Sequence, residues 1–396
     1  MALVEPFRAL RYDPQRVDVS RVVAPPLDFV DERKRAALLE REPRNVVSLL
    51  AHDALRSVDE NRARHALFTA ELRRAGILVR DDAPAIYVVR ETVRSATADG
   101  APTWRVGFFA RVTQTESGRV LPHEETLDRP RDVGRDVKEP LLLAFDDPGG
   151  RVMRTLRAET AERDPDLRAA AFGETVELFV VDDETACARV TALLEERELL
   201  IADGHHRFRA LAGRPFLAFL TVQDDPANHL DALHRVIDID GFRRDFFLDS
   251  AGAFFAYDEL AFDADVRGLL DHAHAPRAIL VDRRGFVALT LRNDAPLDRV
   301  CDPSDLARRR VPTALLSSIV LSHLLAVDEA SVRYVAHTDA AIDWVARADH
   351  GTRIALLLPR PSFKDVVDVA REGRLVPAKT TSFVPKVMSG LVVAAT

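Results

Sequence analysis

The sequence predicts a mixed α/β fold of the α+β kind, and three observations carry that prediction. Short alternating apolar segments come in a hairpin-like pair early in the chain. From about residue 140 strand-like and helix-like segments follow one another in turn. The glycine fingerprints of dinucleotide-binding and P-loop folds are absent, which argues against a regular doubly wound sheet.

Taken in order, residues 1–30 carry Pro6, Pro14, Pro25 and Pro26, which oppose a helix and favour extended chain. Helical periodicity follows over about 31–41 and 57–75, the second opened by Ser57 and closed by Gly76. The segments Ile86-Tyr87-Val88-Val89 and Trp104-Arg105-Val106-Gly107-Phe108-Phe109-Ala110 flank a turn-like stretch at 97–102, so a hairpin is expected. Beyond residue 140, strands are expected at 141–145, 176–181, 198–202, 215–222, 278–282, 286–291, 331–336 and 353–358. Helices are expected at 151–171, 184–196, 204–213, 303–326, 338–348 and 361–371. A weak boundary near 240–262 separates an expected first domain, 1–245, from a C-terminal α/β segment, 246–396.

Composition excludes several classes. With 396 residues, 47% hydrophobic and 30% charged, the chain has both a core and a solvated surface, unlike a disordered, collagen-like or disulfide-stapled protein. No apolar run approaches the ~18 residues of a membrane span. The start, Met1-Ala2-Leu3-Val4-Glu5-Pro6, lacks a basic region followed by an apolar one, and Cys187 and Cys301 are far apart. A reducing, cytoplasmic location is therefore expected, and a cysteine-based zinc cluster is excluded. The net charge of -8 argues against a nucleic-acid partner while leaving room for a local basic groove. Of 55 basic residues only five are lysines (Lys34, Lys138, Lys364, Lys379 and Lys386), three of them in the last 33 residues. On a solvated surface arginine replaces lysine freely, but at a phosphate or catalytic site it does not.

The strongest local motif is Ala202-Asp203-Gly204-His205-His206-Arg207, where an apolar strand ends and a helix begins. Gly204 permits a sharp turn, and the first helical turn offers N–H groups and partial positive charge to an anion. Three basic residues placed against that dipole point to phosphate; the alternative is an Asp203 cap ahead of surface basics. A second cluster, His123-Glu124-Glu125-Thr126 with Arg129 downstream, offers a base, a metal ligand or phosphate contacts, or is a solvated loop. His234-Arg235 is a further candidate anion contact or a plain hairpin edge. In the segment 376–391, Lys379 and Lys386 flank Thr380, Thr381 and Ser382 between prolines, a pattern suited to phosphate.

At the Asp203–Arg207 motif the sequence resembles the family called domain of unknown function 1015. The resemblance extends to Pro6-Phe7-Arg8, Ala24-Pro25-Pro26-Leu27-Asp28, His123-Glu124, His234-Arg235 and Pro377-Ala378-Lys379-Thr380-Thr381 through Lys386. Where the family usually has Ser-Pro-Pro-Tyr-Asp this chain has Ala24 and Leu27, and where it usually has Lys-Ser-Thr this chain has Lys379-Thr380-Thr381. The signature is also similar to that of the ParB/sulfiredoxin-like superfamily, in which the corresponding turn binds nucleotide phosphates and one branch comprises kinases of free serine. The resemblance implies a ParB/sulfiredoxin-like core with insertions over 1–245 and a tail that returns to the site. It implies phosphate or nucleotide binding by Asp203, Gly204, His205, His206 and Arg207, to which the lysine and hydroxyl pattern of the C-terminal segment adds Lys386, Thr380 and Thr381. Glu124, His123, Asp28 and Lys379 are the catalytic candidates, with Arg129, His234 and Arg235 as further contacts.

The first functional expectation is therefore phosphotransfer or phosphoester chemistry on a small hydroxylated metabolite such as serine or phosphoserine, with Mg²⁺ and ATP or ADP. The partner is then a nucleotide or a small phosphorylated molecule, with no membrane and no nucleic acid. The alternatives are a regulatory protein gated by a nucleotide or phosphometabolite, and a metal-dependent hydrolase using His123, Glu124, His205 and His206. Adjacent histidines on a helix diverge by about 100°, which disfavours the last.

Overall fold

The computed structural model describes residues 2–50, 56–93, 103–114, 120–126, 139–211, 213–261, 263–271, 273–348 and 352–394. The chain divides into two compact units. The first comprises Met1–Leu121, Thr126–Asn228 and Pro385–Thr396, and the second comprises Pro122–Glu125 and His229–Val384. Strands and helices are mixed in both, as the α+β reading expects.

The first unit is built on a nine-stranded mixed sheet among the described residues. The expected hairpin is present: Ile86–Val93 pairs antiparallel with Thr103–Gln114, with Val89 opposite Gly107. Its turn, 97–102, lies outside the described residues. Phe216–Val222 joins the other side of Thr103–Gln114, and Leu141–Phe145 pairs parallel to Phe216–Val222. Leu199–Asp203 then runs antiparallel to Leu141–Phe145, with its register shifting between Ile201 and Asp203. Leu141, Leu143 and Phe145 on one strand and Leu199 and Ile201 on the next fall in one core cluster with Phe108 and Leu220. Alternate residues thus reach a shared apolar face, and burial of that face stabilises the pairing. The helix Glu184–Leu194, capped by Asp183, covers this face with Ala186, Cys187, Val190 and Leu194.

The second unit carries a six-stranded sheet among its described residues, including Arg277–Asp282, Gly285–Leu291 and Arg353–Leu357. Two of the apolar clusters in this unit take residues from these strands, one with Leu280, Leu289 and Leu356, the other with Ile279, Val281 and Leu357. Successive residues of the central strands fall in different clusters, as a strand buried on both faces requires. A short antiparallel pair, His229–Asp231 with Ser382–Val384, belongs to this unit as well.

Two expected helices are corrected. The span 151–171 is a helix only over Arg151–Thr160, and Leu167–Ala171 is a strand. Pro165 disfavours helix at Asp164, and the buried–exposed alternation from Leu167 onward matches a strand period. The span 303–326 breaks into Leu306–Arg310, Pro312–Ser317 and a π-helical turn, Ser318–Leu324, because Pro312 has no N–H to continue the first piece. The helix Val58–Arg74 keeps the expected ends, with a reciprocal Ser57–Glu60 capping box and Gly76 at φ +66°. Among the described residues no helix is long and apolar enough to cross a membrane.

Candidate functional site

In the first unit, the strand Leu199–Asp203 and the helix His205–Leu211 are joined by Gly204 alone. Gly204 has φ +104°, a conformation that favours glycine. A Cβ there would lie 3.1 Å from the Leu141 side chain and 3.2 Å from the Arg207 guanidinium. Glycine thus serves both the turn and the space into which Arg207 folds back. Arg207 is buried, and its Nη2 donates to Asp203 Oδ2 at 2.7 Å. Its Nη1 donates to the Pro140 carbonyl at 2.6 Å and lies 3.5 Å from Glu139 Oε2.

Lys386, 183 residues further along the chain, is ion-paired through Nζ with the other oxygen of Asp203. Glu139 Oε1 accepts from the Leu27 amide and from the Ser389 hydroxyl, each at 3.0 Å. Two cations and two carboxylates from separate stretches of chain therefore form one alternating row, Lys386–Asp203–Arg207–Glu139. Such charge-assisted bonds are short and directional, and each cation already faces an oxyanion. A fully buried guanidinium holds the end of this row in place. Arg105 Nε donates to Glu91 Oε1 at 2.6 Å and Nη1 donates to the Pro385 carbonyl at 2.6 Å, with the group 5.2 Å over the Phe219 ring. The residue preceding Lys386 is thereby fixed.

In the second unit, His123 and Glu124 lie beside Val376, bonded through backbone contacts of 2.8 and 2.9 Å. Glu124 Oε2 accepts from the Lys379 amide at 3.1 Å. Its Oε1 accepts from the Thr381 amide at 2.6 Å and from the Thr381 hydroxyl at 2.5 Å. Because that hydroxyl donates to Glu124, His123 Nε2, 2.8 Å from Thr381 Oγ1, is the donor in its own bond. Thr380 Oγ1 donates to the Pro377 carbonyl at 2.6 Å. Lys379 itself adopts φ +62°, rare for a residue with a side chain, and Glu124 bonds the amides on either side of Thr380.

The family model for proteins of unknown function DUF1015 matches residues 4–314. The chain belongs to this family. Among solved structures, a free serine kinase in complex with AMP is 14% identical, covering 67% of this chain and 84% of its own, with a TM-score of 0.34. A conserved hypothetical protein from Pyrococcus furiosus is 14% identical over 69% of this chain and 92% of its own, with a TM-score of 0.33. SbnI with a C-terminal truncation, from Staphylococcus aureus, is 11% identical over 69% and 82%, with a TM-score of 0.34. Comparison with curated proteins finds no match. At such scores the chemistry of the site has to be argued from the chain's own residues.

In this DUF1015 chain the residues singled out in sequence fall into two groups. Asp203, Gly204, His205, His206, Arg207 and Lys386 belong to the first unit; His123, Glu124, Lys379, Thr380, Thr381, His234 and Arg235 belong to the second. His205 is buried and His206 half-buried. Asp203 receives Arg207 and Lys386. Leu27–Phe29 is a 3-10 turn, while the Asp28 side chain and Arg129 lie outside the described residues. Glu124, expected as a base, instead spends its oxygens holding the 379–381 loop.

His234 is satisfied within the protein: Nδ1 accepts from the Leu358 amide at 3.2 Å and Nε2 donates to Thr338 Oγ1 at 3.0 Å. Burial, reinforced by the adjacent Arg235 charge, pushes its pKa down to about 4, so the ring is neutral. The neutral, doubly bonded ring brings no positive charge to the His234-Arg235 pair. Among the described residues no group of three His, Cys, Asp or Glu side chains is gathered for a metal, which leaves the hydrolase reading without a ligand set there. The sequence carries no signal for Glu139 or Arg105. A lone glutamate before Pro140 and an arginine inside an apolar strand carry no local pattern, and only their partners show their use.

Proposed function

We propose that the chain binds the phosphates of a nucleotide at the Asp203–Arg207 turn and serves phosphotransfer to or from a small hydroxylated metabolite. The observation that supports this most is the arrival of Lys386, one of five lysines, on Asp203 beside Arg207. A compact ammonium next to a guanidinium suits phosphate oxygens, and phosphoryl transfer needs mainly positioning and charge neutralisation. On this reading the phosphates replace Asp203 and Glu139 as partners of Lys386 and Arg207. The two carboxylates are then released, one to accept the substrate hydroxyl proton as its oxygen bonds phosphorus and the bond to the leaving phosphate breaks. Mg²⁺ characteristically binds through one or two carboxylates together with phosphate oxygens, so Asp203 and Glu139 fit a metal that arrives with the nucleotide. Lys386, rather than Lys379, is assigned to the phosphates.

The resemblance of the signature to the free serine kinase branch puts serine and phosphoserine first among substrates to assay. Calorimetry with ADP–Mg²⁺ and ATP–Mg²⁺ should show binding, weakened about tenfold or more in Lys386→Gln, the loss of one charge-assisted contact. Single-turnover product analysis with serine or phosphoserine should show phosphoryl transfer. No nucleotide binding sinks the whole proposal. Binding without turnover favours the regulatory reading, for which the paired resting state of Lys386 and Asp203 supplies a contact that phosphate would break.

A further inference from the structure

A separate cavity lies wholly within the second unit, with a volume of about 130 Å³. Arg235 and Arg308 line it, together with Ser317, Ser322, Tyr334 and Thr380. Arg235 is buried, donates to the Leu233 carbonyl, and lies 4.9 Å over the Tyr334 ring, which fixes its position. Arg308 is half-buried and meets Asp305 through Nε at 3.1 Å. Its two terminal nitrogens make no hydrogen bond with the described residues. One wall is the π-helical turn Ser318–Leu324, which follows Pro312–Ser317 directly. Such turns are rare, and they occur frequently at functional sites because the widened ring re-aims the side chains it carries. Glu125 is the one carboxylate in the lining, and it is exposed.

We infer that this cavity is a binding site for a small organic anion, independent of the nucleotide site proposed in the first unit. The terminal nitrogens of Arg308 supply forked donors for a carboxylate or phosphate, and the Arg235 guanidinium adds a second positive charge to the lining. Ser317, Ser322 and Tyr334 supply hydroxyls for the polar remainder of the molecule. The apolar lining of Leu321, Val327 and Val332 favours a compact carbon skeleton over a free ion in bulk water. A cavity of ~150 Å³ takes a benzene-sized molecule, so the size class is a metabolite of about six to eight non-hydrogen atoms rather than a nucleotide. Arg235, singled out in the sequence beside His234, thereby receives a role distinct from that of its neighbour.

The test uses the full chain with glycerate and inorganic phosphate as probes, followed by calorimetry and by hydrogen exchange resolved along the sequence. Glycerate binding supports a carboxylate ligand; binding of phosphate but not glycerate supports a phosphate-bearing one. In either case, exchange should slow across Pro312–Leu324. Arg308→Ala should weaken binding about tenfold or more, as loss of a charged donor does. Ser322→Trp, a change at an exposed position, should weaken it by filling the space while leaving the fold intact. Lys386→Gln should leave this binding unchanged, which separates it from nucleotide binding. The inference is overturned if neither probe binds, if binding survives both cavity variants, if the slowed exchange lies elsewhere, or if Lys386→Gln abolishes it.

Discussion

Gly204 and His234 show how much a single residue's environment decides. At Gly204 the backbone lies where side chains are rare and the space of a Cβ is already taken by Leu141 and Arg207. Gly204→Ala should therefore cost about 1–3 kcal/mol, read as a lower urea midpoint, and should also displace Arg207 from Asp203. A midpoint equal to that of the unaltered chain would refute the double requirement. His234 makes a pH prediction. Its folded pKa, about 4, lies below the ordinary value of 6.5, so between these the unfolded chain binds more protons than the folded one. Its contribution is complete above about pH 6.5 and is lost as pH falls towards 4, a total of about 3 kcal/mol. Urea unfolding across that window should be flatter in His234→Gln. Gly204 and Arg207 were legible in sequence because a turn has a local signature; the neutral state of His234 was not, since it depends on burial and on Thr338 and Leu358.

At the scale of elements, the clearest case is the clamp between the 122–125 segment and the 376–381 loop. Glu124 accepts from the Lys379 amide, the Thr381 amide and the Thr381 hydroxyl. Glu124→Ala should leave these donors without that acceptor, cost about 2 kcal/mol, and speed exchange of the Lys379 and Thr381 amides roughly tenfold or more. Unchanged protection of both amides would show that the loop is held by other contacts. Residue types in this loop were legible as a polar, lysine-bearing motif. Its partner was not, because 255 residues separate Glu124 from Lys379 and no periodicity spans that distance. The helix expected at 151–171 stops for a local reason instead. Its apolar residues continue past Thr160, but Pro165 and the alternation Leu167-Arg168-Ala169-Ala170-Ala171 hand the chain to a sheet edge beside Glu174–Val181.

For the whole molecule, the first unit is discontinuous: Pro385–Thr396 belongs with residues that begin near Met1. Leu10 and Val393 exchange backbone bonds at 3.1 and 2.9 Å, and Ala24 and Ser389 do so at 3.0 and 2.9 Å. Met388, Leu391, Val392 and Val393 are buried there. Four such side chains at about 1.5–3 kcal/mol each match a typical domain's entire stability of ~5–15 kcal/mol. A chain ended after Val384 should therefore lose cooperative unfolding of the first unit, with rapid proteolysis within 1–228 as the readout. A native-like transition in that variant would refute the assignment. By itself the sequence determined the mixed α/β class, the strand–glycine–helix turn, the helix caps and the scarcity of lysine, because each is written in neighbouring residues through steric limits or a period of 2 or 3.6. Only the tertiary structure decided that Lys386 meets Asp203, that Glu139 meets Arg207 and that Glu124 serves a loop. Those pairings follow from which apolar faces bury against one another, and the charges meet where that packing carries them.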